Sequence, residues 1–271
     1  MIYVASCSIS NPKNVLAGEV VLFPIGFSLD AYKLVFLDLE FWRSFLNSIV
    51  YVIAGCILML LTTVLVAYPL TRPNLKFRKL LTYFLLIPMY FSGGMIPTFL
   101  VVSKLGLYNS PLALILPGCY SIWNIILCRT FMASLPKELI EASLIDGSGQ
   151  FKTFLKIVLP LSKPVIAVIL IYTIVGIWSS WFSASIYTTD KSIQPVQLYL
   201  NHVLSATSSS VQSDLISKLP SEIQKGYQEM ELSANQIKYA MIIITTAPIV
   251  AVYPMFQKYF TKGIMLGSLK G

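Results

Sequence analysis

The chain has 271 residues, of which 56% are hydrophobic and 12% are charged, and its formal net charge is +8. A soluble domain has about 25% charged residues, so this composition, with a mean hydropathy of +0.73, indicates a membrane protein. The lysines and arginines lie beside apolar runs and form no basic face of a soluble domain, which argues against nucleic acid as a partner.

The sequence offers no set of side chains arranged for catalysis or for binding a metal. Cys7, Cys56, Cys119 and Cys128 lie in or beside apolar stretches without CxxC spacing, and His202 is the single histidine. No phosphate-binding GxxxxGK[ST] motif occurs, so we expect no cofactor on this chain, neither ATP nor Mg²⁺. These features argue against an enzyme.

The first residues are apolar but too short to cross a bilayer, and they lack the basic flank of a signal peptide. We interpret residues 1–10 as the outer end of a first membrane helix whose beginning is missing here. The whole protein would then have six spans. Residues 11–46 follow on the external side.

Five later segments are apolar and long enough to span a bilayer, which takes roughly 20 residues. They are residues 49–70, 80–102, 112–131, 165–187 and 237–257. Proline and glycine interrupt several of them, which spans tolerate where neighbouring helices satisfy the freed backbone groups. We therefore predict an all-α polytopic membrane protein that forms one transmembrane domain over residues 1–271.

Basic residues orient these spans. The linker 71–79 has four cations and no acid, whereas the linker 103–111 has only Lys104. Because lysine and arginine favour the cytoplasmic side, we predict that residues 71–79, residues 134–163 and the C-terminus are cytoplasmic. Residues 188–236 then form a long external loop.

The segment 134–163 has the pattern of a helical hairpin. Ser134 could cap a short helix over residues 137–146, and Gly147 could take the left-handed conformation that ends it. A second helix over residues 151–158 is predicted to stop at Pro160. We expect this hairpin to lie outside the membrane bundle.

Within the hairpin, a run of residues resembles the EAA loop of bacterial ABC importer permeases. The family pattern is E-A-A, three residues, G, nine residues and I-x-L-P, and only Ser143 departs from it here. The resemblance implies that residues 134–163 are a coupling loop that seats in a cytoplasmic ATPase subunit. An ordinary hairpin on the membrane surface is the alternative. The loop residues expected to take part are Glu138, Glu141, Ala142, Ser143, Asp146, Gly147, Ile157, Leu159 and Pro160.

The resemblance extends over most of the chain. Residues 91–118 and 253–271 are similar to LplC-type carbohydrate permeases, which handle complex oligosaccharides and polysaccharide fragments, and residues 17–36 resemble their external segment. It implies the type I importer permease (MetI-like) fold and ATP-driven import by alternating access through the bacterial cytoplasmic membrane. It also implies a complex with a second homologous permease, an external solute-binding protein and two ATPase subunits, which would carry ATP and Mg²⁺.

Other transport functions are alternatives. A permease of the same family could serve peptides, amino acids or osmolytes. A stand-alone secondary transporter would have an ionisable residue at mid-membrane to couple ions, and the span interiors contain no Asp, Glu or Lys.

Aromatic and amide side chains within the spans are candidates for a sugar path. They form two groups, one in the third span and one in the fourth: Tyr120, Trp123 and Asn124, and Trp178, Trp181 and Phe182. Tryptophan is also enriched at membrane interfaces as an anchor, and an asparagine can equally join two helices. Both interpretations stay open for each group.

Overall fold

The computed structural model describes residues 1–207 and 235–257 of the protein. Within these two ranges the chain forms helices and their connections, with one isolated antiparallel bridge between Ser10 and Phe27 and no β-sheet. The predicted all-α class is therefore confirmed. Residues 208–234 of the predicted external loop and the tail 258–271 lie outside the described residues.

The helices are numbered in chain order. The first eight are α1 (Ile2–Ser8), α2 (Pro12–Leu16), α3 (Asp30–Leu37), α4 (Leu39–Thr71), α5 (Arg78–Tyr90), α6 (Met95–Lys104), α7 (Pro111–Ile115) and α8 (Ile122–Ala133). The next are α9 (Lys137–Ile145), α10 (Gln150–Thr153), a π-helix (Phe154–Val158), α11 (Leu159–Leu161) and α12 (Lys163–Trp178). The last are α13 (Phe182–Tyr187), a 3₁₀ turn (Lys191–Ile193), α14 (Val196–Thr207) and α15 (Asn235–Gln257).

Two helices are long and apolar enough to cross a membrane without a break. They are α4, with 33 residues, and α15, with 23 residues, and they confirm the first and fifth predicted spans. The rise of α4 corresponds to about 50 Å, which exceeds the roughly 30 Å of a bilayer core. α4 is therefore longer than a straight crossing of that core requires.

The second predicted span is broken between α5 and α6, whose axes differ by 112°. Gly94 has a φ of +88°, a conformation that glycine adopts without a steric penalty. The connection could thus be a kinked span or a loop that re-enters the membrane from one side, and it is not the straight helix expected over residues 80–102.

The third and fourth predicted spans are also divided. α7 ends at Ile115, two residues before Pro117, and α8 begins only at Ile122. α12 ends at Trp178 and α13 follows after a short break. Neither residues 112–131 nor residues 165–187 form one continuous helix.

The chain divides into two compact units. Of the described residues, the first contains 1–49, 179–207 and 235–251, and the second contains 50–178 and 252–257. In the first unit the N-terminal part of α4 is hydrogen-bonded to the start of α14 and the segment before it. The side-chain amide of Asn47 donates to the carbonyl of Ser192 at 2.8 Å, and the backbone N–H of Val196 donates to the hydroxyl of Ser48 at 2.8 Å.

Asp38 organises the start of α4 in the same unit. One carboxylate oxygen accepts the backbone N–H groups of Glu40 and Phe41 at 2.9 and 3.2 Å, and the other accepts the Tyr199 hydroxyl. Burial and the adjacent Asp38 raise the pKa of Tyr199, so its hydroxyl stays protonated and donates. This arrangement satisfies backbone donors that a helix start leaves free.

The second unit has a core in which α4, α8 and α12 meet the hairpin 134–163. The buried apolar residues are Met59, Val64, Ala67, Tyr68, Leu70, Ile125, Cys128, Met132, Ile140, Phe154, Val158, Val165 and Ile169. Three of them, Ile140, Phe154 and Val158, come from the hairpin. The expectation that the hairpin lies outside the bundle is therefore wrong.

Candidate functional site

The hairpin begins with α9, which ends in a Schellman motif at the predicted glycine. The N–H of Ser148 donates to the carbonyl of Ser143 at 3.0 Å, and the N–H of Gly147 donates to the carbonyl of Leu144 at 3.1 Å. Gly147 has a φ of +76°, the left-handed conformation that this motif requires. The predicted helix and its glycine stop are confirmed.

The predicted cap of α9 is not formed. Ser134 instead ends α8, where its hydroxyl donates to the carbonyl of Phe131 at 2.8 Å. Pro136 precedes the first residue of α9, and no side chain accepts a hydrogen bond from the helix start. The N–H groups of the first turn of α9 are left without a side-chain cap.

The second helix of the hairpin does not stop at Pro160. It runs through α10, the π-helix Phe154–Val158 and α11, and then bends by 73° into α12. Pro160 has no N–H for the carbonyl of Lys156, four residues earlier, and its ring would crowd that carbonyl in a regular α-helix. The wider π turn immediately before the proline accommodates it.

The tip of α4 holds this second helix against the bundle. The ring of Phe154, which is 3% exposed, lies 4.7 Å from the ring of Tyr68 between centroids. The Tyr68 hydroxyl donates to the carbonyl of Gln150 at 3.0 Å. One side of the hairpin is thus fixed to the membrane bundle by both apolar and polar contacts.

Ser143, the residue that departs from E-A-A, links the two helices of the hairpin. Its hydroxyl lies 2.7 Å from the hydroxyl of Thr153, and both side chains are buried. An alanine would leave the Thr153 hydroxyl without this partner. Sequence reasoning missed Thr153, because no helical periodicity connects two residues on different helices.

The two faces of α9 have different surroundings. Glu138, Ala142 and Ile145 lie on one side and are exposed, Ile145 by 86%. Ile140, Glu141 and Leu144 line a cavity beside the end of α4. Glu141 and Ala142, although adjacent in sequence, therefore have different neighbours.

The structure places the predicted loop residues as follows. Glu138, Glu141, Ala142, Asp146, Gly147 and Pro160 are exposed, Ile157 and Leu159 are half-buried, and Ser143 is buried. The hairpin brings both halves of the motif together on one folded element. The functional role of each residue stays a prediction.

The third-span candidates for a sugar path separate into exposed and buried side chains. Tyr120 and Trp123 are 56% and 62% exposed. Asn124 is buried, and its amide donates to the sulfur of Met59 at 3.6 Å. This contact favours a link between α8 and α4 for Asn124, and it leaves the two aromatic residues as candidates for the path.

The fourth-span candidates do not share one helix. Trp178 is the last residue of α12 in the second unit and is buried. Trp181 immediately precedes α13 and Phe182 begins it, both in the first unit; they are 41% and 54% exposed, with their ring centroids 5.7 Å apart. Of these three residues, Trp181 and Phe182 are the ones with aromatic rings that a sugar could reach.

Comparison with protein families gives one match over most of the chain. Residues 41–266 match the family described as "Binding-protein-dependent transport system inner membrane component". This range contains all but the first two residues of α4, the hairpin and both groups of aromatic candidates.

Individual relatives match the entire chain. Protein LplC of Bacillus subtilis (strain 168) is 40% identical over 270 residues, covering 100% of this chain and 88% of the relative. The polygalacturonan/rhamnogalacturonan transport system permease protein YtcP of the same organism is 38% identical over 270 residues, covering 100% and 91%.

A solved structure shares the fold. It is the crystal structure of a bacterial ABC transporter involved in the import of the acidic polysaccharide alginate. The TM-score is 0.83 and the sequence identity is 31%, over 96% of this chain and 89% of that chain.

Proposed function

Because this chain belongs to the family of binding-protein-dependent transport system inner membrane components, we propose that it imports oligosaccharides or polysaccharide fragments as the permease subunit of an ATP-driven transporter. The observation that carries this proposal is the match over 100% of the chain to a polygalacturonan/rhamnogalacturonan permease at 38% identity. The chain itself supplies the passage across the membrane, and its chemistry is binding and conformational change.

In this proposal the exposed face of α9 seats in a cytoplasmic ATPase subunit. Ala142 leaves room for close approach, and Ile145, at 86% exposure, supplies apolar area that such a subunit would cover. Two ATPase subunits bind ATP and Mg²⁺, and a second homologous permease and an external solute-binding protein complete the complex. The exposed apolar side chain of Ile145 supports a protein partner at this face.

The hairpin can transmit motion because its other side is part of the bundle core. When the ATPase subunits close, α9 moves, and Ile140, Phe154 and Val158 carry the displacement to α4, α8 and α12. A packed core responds to such a shift by changing between discrete arrangements. The bundle would alternate between inward-open and outward-open states, biased by ATP on one side and by loaded binding protein on the other.

The exposed aromatic residues are the proposed sugar contacts. Aromatic faces bind the C–H surfaces of sugars, and Tyr120, Trp123, Trp181 and Phe182 are all exposed. Two of the compared proteins carry names that refer to acidic or galacturonan polysaccharides. Oligogalacturonides are therefore the first substrates to test, with neutral oligosaccharides beside them.

We expect transport to require the whole complex. Vesicles are prepared with this chain, its partner permease, the ATPase subunits and the binding protein. They should accumulate a labelled oligosaccharide when ATP is supplied on the side of the membrane that corresponds to the cytoplasm. The purified chain alone should hydrolyse no ATP. Hydrolysis by the chain alone, or accumulation of peptides or osmolytes in place of sugars, would contradict the proposal.

We also propose that the linker between α4 and α5 is cytoplasmic, that the linker after α6 is external, and that the C-terminus is cytoplasmic. Lys76 and Lys104 are both exposed and provide a matched pair for cysteine substitution. In intact cells a membrane-impermeant maleimide should label Lys104→Cys and should label Lys76→Cys only after permeabilisation. The reverse pattern would invert the proposed topology.

A further inference from the structure

A cavity of about 710 Å³ lies in the second unit, between the end of α4, the linker to α5 and α9. Its size falls within the range of small-molecule sites, about 300–1,000 Å³. The polar side chains that line it include Tyr68 of α4, Arg72, Asn74 and Arg78 after that helix, and Lys137 and Glu141 of α9. Several elements thus converge on one space.

The charges that line this cavity are unbalanced. Arg72, Arg78 and Lys137 face a single acid, Glu141. Among residues 1–207 and 235–257, the one ion pair is between Lys33 and Asp30, so none of the four lining charges is in an ion pair there. The cavity therefore has a positive potential that favours an anion.

Arg72 is held in position but lacks a hydrogen-bond acceptor. Its guanidinium lies 4.4 Å from the centroid of the Tyr68 ring, and the Tyr68 hydroxyl is fixed by its bond to Gln150. The Nε atom of Arg72 is buried without a hydrogen-bond partner. A buried donor without an acceptor is costly, and the Arg72 side chain also lines the cavity.

The start of α5 adds to the positive potential. Phe77, immediately before Arg78, has a φ of +60° and provides no side-chain cap. This left-handed conformation is strained for a bulky residue. The helix begins with Arg78, and its first turn contains no acid, which is unfavourable at the positive end of a helix dipole unless an anion lies nearby.

We propose that this cavity binds a phosphate-bearing ligand, with Arg72 and Arg78 as its principal contacts. The planar fork of arginine matches the geometry of phosphate oxygens, and lysine adds a point charge. The phosphate could belong to a membrane lipid headgroup or to a soluble phosphate ester. Either source would reach the cavity from the cytoplasm, and this orientation rests on the proposed function.

The exposed surface of α5 suits the lipid source. Leu80 and Phe84 are 65% and 70% exposed and follow Arg78 along the same helix. Acyl chains could lie along these side chains while the phosphate enters the cavity, as basic pockets at the cytoplasmic membrane surface do with anionic lipids. Because α9 forms one wall, the ligand would contact both the hairpin and α4.

The test uses the complete importer complex, without substrate or ATP, in two preparations. In nanodiscs containing phosphatidylcholine with phosphatidylglycerol, native mass spectrometry should detect retained phosphatidylglycerol. In nanodiscs of phosphatidylcholine alone, calorimetry should detect binding of inorganic pyrophosphate. Retention of the lipid assigns the lipid source, and binding of pyrophosphate without lipid retention assigns the soluble one.

Two double variants are compared, and each replaces two cations of the same linker region. Arg72→Gln with Arg78→Gln should weaken binding of the responding probe by about tenfold or more, because two charge-assisted contacts are lost. Lys76→Gln with Lys79→Gln removes exposed cations outside the cavity and should change the affinity less than about twofold. Equal weakening in both variants, or binding of neither probe, would overturn the proposal.

Two further measurements keep the test interpretable. If the glutamine variant does not assemble, Arg72→Lys with Arg78→Lys keeps the charge but loses the fork, and it should weaken binding by an intermediate factor. Equal binding in that variant and the wild type would overturn the assigned arginine contacts. Because binding is measured without transport, loss of sugar uptake with intact phosphate binding would contradict the proposed function alone.

Discussion

Replacing Gly147 with valine is expected to uncouple transport from ATP hydrolysis in the assembled importer. Gly147 has a φ of +76°, and an added Cβ would meet no atom within 4 Å. The effect therefore comes from the backbone, because a β-branched residue in this conformation costs about 1–3 kcal/mol. To relieve that strain the end of α9 must rearrange, which shifts its exposed face away from the ATPase.

Gly149 provides the matched control for this substitution. It also has open space around its Cβ position, but its φ is −66°, which any residue adopts. Gly149→Val should keep coupling close to the wild type, and Gly147→Asn should recover most of it, because asparagine tolerates the left-handed conformation. The readouts are sugar uptake and substrate-stimulated ATP hydrolysis in vesicles.

Thermal unfolding of the same Gly147 variant separates uncoupling from loss of the fold. The contacts of Ile140 and Phe154 with the bundle should hold the hairpin in place, so the complex should still assemble. Wild-type coupling in Gly147→Val would show that residues 134–163 are only a linker. That result would remove the hairpin from the proposed mechanism.

Phe154→Ala is expected to lower the stability of the membrane bundle itself. Phe154 is 3% exposed and packs on Tyr68 within the core of the second unit. Truncating a buried phenylalanine leaves a cavity and costs about 3–5 kcal/mol. A loop that lay outside the bundle would show no such effect, so this variant tests the integration of the hairpin directly.

Phe151→Ala is the matched control, because Phe151 is 67% exposed on the same hairpin, 6.3 Å from Phe154 between ring centroids. The measurement is the midpoint of thermal or denaturant unfolding of the purified complex in detergent. Phe154→Ala should lower it clearly, and Phe151→Ala should change it little. Equal shifts would mean that the packing of Phe154 on Tyr68 does not stabilise the bundle.

The two variants separate two properties of one element. The Gly147 substitution acts on the exposed end of α9, where a partner would bind. The Phe154 substitution acts on the side that packs against α4. If the hairpin couples an ATPase to the bundle, uncoupling without unfolding should follow from the first change, and unfolding from the second.

The local features of this protein could be predicted from its sequence. Composition indicated a membrane protein, and the segments around residues 49–70 and 237–257 became α4 and α15. The hairpin helix over residues 137–145 and its stop at Gly147 also followed from local pattern, because a capping glycine acts within its own turn of the chain.

The tertiary structure decided which side of each element is buried. In a membrane protein nearly every segment is apolar, so hydrophobic periodicity does not show which face contacts another helix. Asn124 turned out to contact Met59, and Glu141 turned out to line a cavity with Arg72. Neither contact leaves a sequence signal, because the partners come from different helices.

The continuity of the spans was likewise settled only by the fold. Pro88, Pro97 and Pro117 indicated positions at which a helical span could be interrupted. A proline is compatible, however, with a kinked span, a broken span or a helix end. The folded chain has a 112° break after α5 and a π turn before Pro160. Because Phe154 within that π turn packs on Tyr68, the hairpin became part of the bundle core, through contacts between residues far apart in the sequence.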